Sequence, residues 1–172
     1  MTRILGIDPG LNITGYGVVE TVTGGGLRLC EAGVIRGGSG NGSDDAGGER
    51  MAARLVPLFE GLCEVIEQYK PDMMAIEQLY SHYKRPTTAI LMGHARGVLC
   101  LAAARSGIPV RSYAATQIKK ILTGNGRAPK NQMQIAVQRE MNLPQVPEPP
   151  DVADALAVAI CHHYLSRQDM MG

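Results

Sequence analysis

The run Arg3-Ile4-Leu5-Gly6-Ile7-Asp8-Pro9-Gly10 (RILGIDPG) sets the fold class of this 172-residue chain. It is a short apolar strand with a carboxylate at its end, halted by Pro-Gly, a turn dipeptide. Residues 14–21 and Leu27–Arg36 read as two more strands joined through Gly24-Gly25-Gly26, which makes the opening an antiparallel meander. Residues 37–48 (GGSGNGSDDAGG) have the composition of a flexible surface loop. The spacing Met51, Leu55, Leu58, Leu62, Ile66 predicts a helix over residues 49–69 that stops before Pro71. Residues 72–77 (DMMAIE) form a short apolar run, again ending in a carboxylate, and read as a buried strand. A long helix over 86–106 and a fifth strand over 108–113 follow. Short helices near 116–122 and 131–141, a Pro-rich connector at 144–150, a last helix over 151–166 and a tail at 167–172 complete the chain. A meander followed by alternating helices and strands implies an α/β fold, a five-stranded mixed sheet flanked by helices, and the length suits one domain over 1–172.

Composition narrows the function classes. Hydrophobic residues make up 45% and charged residues 19%, as in soluble globular proteins. The most apolar segment, 89–104, is interrupted by His94 and Arg96, so no stretch is expected to span a bilayer, and the first residues lack the pattern of a signal peptide. Cys30, Cys63, Cys100 and Cys161 are far apart and form no CxxC pair, which points to reduced core thiols and a cytoplasmic protein. Charge is unevenly placed. No Asp or Glu occurs between Glu77 and Glu140, yet ten of the 17 Lys and Arg residues do. An acid-free basic segment attracts phosphate, although a solvated basic face without a partner reads equally well from charge alone.

Four carboxylates stand out. Asp8 and Glu77 end apolar strands, at the sheet edge where open α/β sheets bind ligands. Asp8 before Pro-Gly is also a natural turn starter, and alone that reading is favoured. A charged residue at the end of a second buried strand is harder to dismiss, because it is costly unless paired or coordinating metal. Asp151 and Asp154 open the final helix three residues apart, and therefore on one face. Capping and dipole compensation explain Asp151 well but Asp154 less well, because Ala153, Ala155 and Ala157 suggest close packing on the sheet. If that helix crosses the strand ends, the four carboxylates meet in a self-repelling cluster. All-oxygen ligands of this kind suit Mg²⁺ or Mn²⁺, and two such ions support phosphodiester hydrolysis. The four histidines have no metal-ligand spacing.

The chain resembles the RuvC family of Holliday-junction resolvases, which have an RNase H-like fold, over nearly its whole length. The resemblance rests on Gly6 to Gly10 with Thr14-Gly15-Tyr16-Gly17, on Ala75-Ile76-Glu77-Gln78 and on Gly93-His94-Ala95-Arg96-Gly97. It continues through Tyr113-Ala114-Ala115 with Lys119, Gly124 and Lys130, and ends in Asp151 to Ala157. It implies a crossover junction endodeoxyribonuclease of recombination and repair, cutting four-way junction DNA as a homodimer and working with RuvA and RuvB in the bacterial cytoplasm. It implies that Asp8, Glu77, Asp151 and Asp154 hold two Mg²⁺ per subunit, with Mn²⁺ as a substitute, and that Lys119 and Lys130 lie at the scissile phosphate. Tyr80 falls where the family has an aromatic that wedges against junction bases; Lys84, Arg85, Lys120 and Arg127 are the further expected DNA contacts. Two departures stand beside this: the 81–86 segment is about one residue longer than in familiar members, and the 37–48 loop is longer and richer in Gly.

Three other readings compete. One is a ribosomal-RNA-processing nuclease of the same fold; another is half of an actin-like ATPase, which needs two such domains; the third is a junction-binding module without catalysis. The helix over 86–106 is apolar nearly all round, so it is expected to be buried, either in its own core or partly against a second subunit.

Overall fold

The computed structural model describes residues 1–38, 48–79 and 86–171, with the backbone alone for 169–171. Strands β1 (Arg3–Asp8), β2 (Ile13–Thr21), β3 (Leu27–Arg36), β4 (Met73–Glu77) and β5 (Val110–Tyr113) form a sheet of order β3-β2-β1-β4-β5. β1, β2 and β3 pair antiparallel, as tight turns allow; β4 joins β1 and β5 joins β4 in parallel, each after a helical crossover. The helices are α1 (Gly48–Tyr69), α2 (Pro86–Arg105), α3 (Ala115–Thr123), α4 (Lys130–Glu140) and α5 (Pro150–Met171). Strand boundaries on β1 and β3 match the sequence reading, and the other elements apart from the end of α5 shift by a residue or two.

Alternation along the strands separates two cores. Leu5, Ile7, Met74 and Ile76 point to one face and pack with Leu58 and Leu62 of α1 and Ala95 and Leu99 of α2. Ile4, Val19, Met73 and Ala75 point to the other and pack with Ile118, Val137, Leu156 and Ile160 from α3, α4 and α5. Leu156 and Ile160 are fully buried, each burial worth about 2–3 kcal/mol.

α5 sits on this second face as a central helix. Every residue from Ala155 to Cys161 is buried. The strands beneath are glycine where it passes: a Cβ on Gly6 would fall 2.1 Å from the Ala155 carbonyl oxygen, and one on Gly17 2.5 Å from Leu156 Cδ2. Only glycine lets the helix come that close.

Two expectations are corrected here. α5 continues past Ser166 to Met171 in place of a tail. Its end is pinned to the β2–β3 turn, where Arg167 donates to the Gly25 carbonyl at 2.5 Å and His163 Nε2 lies 3.0 Å from the same oxygen. α2, in turn, is long and apolar enough to cross a membrane by length and composition, because His94 and Arg96 do not lower its mean hydropathy below 1.3. It is instead laid on the sheet and α1 through Ala95, Leu99, Ala102 and Ala103, with most of its surface outside that core.

Of the 37–48 loop, Gly37 and Gly38 are tied by their amides to the carbonyls of Asn12 and Arg54, and 39–47 lies outside the described residues. The four cysteines are free.

Candidate active site

Asp8 and Glu77 are the last residues of β1 and β4, neighbouring parallel strands whose register pairs Ile7 with Ile76. Asp8 shares its side of the sheet with Ile4 and Gly6, and Glu77 shares its side with Met73 and Ala75, so both lie on the face that α5 covers. The turn after Asp8 is held by Thr14, whose buried hydroxyl donates to the Gly10 carbonyl at 2.8 Å and accepts from the Gly10 amide at 3.2 Å. Opposite Asp8 in β2 stands Gly15, where a Cβ would lie 2.0 Å from the Asp151 carbonyl oxygen. This contact sets the first turn of α5 against the strand ends and brings Asp151 and Asp154 to Asp8 and Glu77.

The four groups feel one another. Burial, then the charges of Asp154, Glu77 and Asp151, push Asp8 from 3.8 up to about 8, against a smaller opposing effect of Lys130. Burial and then Asp154 raise Glu77, with Lys119 and Lys130 acting the other way. Burial alone would lower Lys130, but its hydrogen bond to Asp154 and the charges of Asp154, Asp8 and Asp151 outweigh it and hold the ammonium above its ordinary value. Lys130 Nζ lies 3.1 Å from Asp154 Oδ2. Among the described residues, no three His, Cys, Asp or Glu side chains close on one point at metal-ligand spacing. The donor set still fits a hard divalent cation: it is all oxygen, burial and then mutual repulsion disfavour its full ionisation, and its lysines offset only part of that charge.

Beside the carboxylates is a cleft of about 230 Å³ lined by Glu77, Lys119, Lys130 and Asp154, with Ile118, Met133 and Ala157 as its apolar wall. Lys119 comes from α3 and Lys130 opens α4. The connection between the helices turns at Gly124, whose φ of 75° favours glycine, and is tightened by the Asn125 side chain accepting from the Arg127 amide at 2.9 Å. Lys120 and Arg127 are exposed. Tyr80, Lys84 and Arg85 lie outside the described residues, as does most of the 81–86 departure.

Arg96 is a contact that sequence reasoning did not assign. From α2 its Nε donates to the Glu77 carbonyl oxygen at 3.3 Å and its Nη2 to Ser112 Oγ at 2.5 Å. The one clue in the sequence was a charged residue inside an apolar helix. His162 Nδ1 lies 2.6 Å from the Tyr113 hydroxyl, and His163 reaches Gly25; neither belongs to the carboxylate group.

A meander continued by two parallel strands, with helices on both faces and carboxylates at adjoining strand ends, defines the RNase H-like class of folds. Comparison with known proteins narrows this class. Residues 4–162 match the family model described as Crossover junction endodeoxyribonuclease RuvC. A protein of that name from Rhodopirellula baltica is 54% identical over 165 residues, covering 95% of this chain and 86% of the relative. The Thermus thermophilus RuvC structure superposes with a TM-score of 0.82 at 29% identity, covering 98% of this chain and 97% of that one. The same protein in complex with Holliday junction substrate gives 0.81 at 27% identity, covering 97% and 96%. The chain belongs to the RuvC family of crossover junction endodeoxyribonucleases.

Proposed function

We propose that this protein is a structure-selective endonuclease that resolves Holliday junctions in DNA recombination and repair. The observation that carries the reading is the gathering of four carboxylates, two with raised pKa, and two cleft lysines at one edge of the sheet. Asp8, Glu77, Asp151 and Asp154 would hold two Mg²⁺ ions per subunit, with Mn²⁺ able to replace them. Bound there, the cations supply Lewis acidity for phosphodiester hydrolysis.

The chain's own residues do the rest. Asp8, held protonated by burial and its acidic neighbours, would have to lose that proton to serve as a ligand. Lys119 and Lys130 offset the charge of a phosphate entering the cleft, more strongly there than in open solvent. Lys120, Arg127, Lys84, Arg85 and Tyr80 extend the contact along the DNA, the tyrosine by stacking on a base.

A junction is nearly two-fold symmetric, and productive resolution needs two matched cuts, so we read the active form as a homodimer. α2 supports this. Ile90, His94, Gly97 and Leu101 are exposed along one line of that helix, and a Cβ on Gly97 would meet nothing within 4 Å. We further read residues 1–172 as one nuclease domain acting in the bacterial cytoplasm with the branch-migration proteins RuvA and RuvB.

The test is purified protein with a synthetic four-way junction. Paired nicks placed symmetrically about the crossover are expected with Mg²⁺, and none in EDTA. Cleavage that persists in EDTA would overturn the metal mechanism, and single unpaired nicks would overturn the dimer.

A further inference from the structure

We propose that Arg96 is a positioning residue for Glu77, fixing the end of β4 and thereby joining the carboxylate edge to α2; the inference rests on the reading of Glu77 as a metal ligand. Glu77 is where β4 stops. The chain continues through Gln78, whose amide donates to the Tyr113 carbonyl at 2.9 Å, and then through Leu79, which is exposed and whose Cδ1 would lie 3.9 Å from a Cβ added at Gly93 of α2. Past the last rung of the ladder a strand end is held by whatever its terminal carbonyl finds. Here that partner is the guanidinium of Arg96, which bonds the Glu77 carbonyl and Ser112 in β5 at once. Ser112 lies beside Ile76 in the β4–β5 register, so one rigid fork grips the strand that carries Glu77 and the strand next to it.

The chemistry of the site makes such a grip useful. Glu77 must hold its carboxylate at the same sheet edge as Asp8 and in the same cleft as Asp154, where groups of like charge crowd together. A backbone free to rotate at Glu77 would let that side chain swing away, relieving the repulsion and spoiling the ligand set. Arg96 blocks this without touching the carboxylate. The arginine also stands off the exposed line of Ile90, Gly97 and Leu101, so displacement of that helix would be transmitted to Glu77 directly through one hydrogen bond and to β5 through the other.

Arg96→Met removes the fork while keeping the apolar stem. The first measurement is hydrogen exchange in EDTA, followed by mass spectrometry of the peptides that cover residues 73–79. Faster exchange there, with exchange in β1 and α5 unchanged, is expected. The second is Mg²⁺ titration read by thermal shift, where the half-saturating concentration should rise about tenfold. Junction binding in EDTA should be unchanged. Arg96→Lys, which keeps the charge but spans one acceptor at a time, should fold normally and fall between wild type and Arg96→Met on both readouts; this keeps the idea testable if Arg96→Met fails to fold.

Unchanged exchange at 73–79 in both variants would overturn the proposal. So would exchange that rises uniformly over the protein, which would mark a merely structural role. Full cleavage by Glu77→Gln would instead overturn the metal-ligand reading and leave the exchange result standing, so the two failures are distinguishable.

Discussion

α2 and α5 look alike as sequence: each is 20 or more residues long, rich in alanine and built around an unbroken apolar run, residues 97–104 in one and 155–161 in the other. In the fold they are opposites. α5 is buried from Ala155 to Cys161 and rests on strands that are glycine where it crosses them, whereas α2 buries Ala95, Leu99, Ala102 and Ala103 and leaves Ile90 and Leu101 more than half exposed. The glycines sit on opposite sides of the two contacts. Beneath α5 they belong to the sheet and admit the helix backbone; in α2 they belong to the helix, and Gly97 faces open space. Apolarity says that a helix needs cover. It does not say whether the cover comes from the same chain.

The largest effect that would test this contrast is on catalysis. Asp154→Asn, on the helix seated against the strand ends, should lower the single-turnover cleavage rate by roughly a thousandfold or more, and Asp8→Asn, Glu77→Gln and Asp151→Asn should behave alike. Junction affinity in EDTA should stay within a fewfold of wild type, because fewer negative charges then face the phosphates. Near-normal cleavage by any one of them removes that residue from the ligand set.

Next come the glycines. Gly6→Val drives a side chain into the Ala155 carbonyl and should cost about 3 kcal/mol or more, read by urea unfolding. Gly97→Leu should leave the subunit as stable as before, or firmer by about 1 kcal/mol from helix propensity. Sedimentation of Gly97→Leu should nevertheless show a weaker dimer. Equal destabilisation by the two changes would erase the distinction between the helices.

A smaller effect concerns pH. Asp8 titrates near 8 in the folded protein and near 3.8 when unfolded, so the metal-free fold keeps a proton that the unfolded chain releases between those values. Stability should therefore fall as pH rises from about 4 to about 8 and fall no further from this group above that. Asp8→Asn should raise the melting temperature of the metal-free protein at pH 8 by about 5 °C and leave it nearly unchanged at pH 4. An equal shift at both pH values would mean that charge at Asp8 is not the cause.

Much of this architecture could be read from the chain because its cues are local. β1 and β3 are bounded by Pro9-Gly10 and by the glycine turn, and α1 by its apolar period. Asp8 and Glu77 stood out for a similar reason: a charged residue closing a buried strand is an anomaly visible without coordinates, whereas Asp151 and Asp154 stood out by their spacing on one helix face. What escaped depended on distant partners. The helical 167–171 segment is held by a carbonyl in the β2–β3 turn, some 140 residues earlier in sequence. Arg96 finds its acceptors on β4 and β5. The exposed line on α2 has little signature, because apart from His94 its residues are as apolar as the buried ones. The 39–47 and 80–85 segments, with Tyr80, Lys84 and Arg85, lie outside the described residues.

The parallel register of β1 and β4 makes the length of the β4 segment a matter of odd and even numbers. Successive side chains on a strand face opposite ways, so deleting one residue between Met73 and Ile76 while the strand start stays anchored turns Glu77 toward α1 and α2. Deleting two restores its direction but stops it one pleat short of Asp8. Substitution can test each side chain of this strand by degrees, but a change in its length has no intermediate outcome.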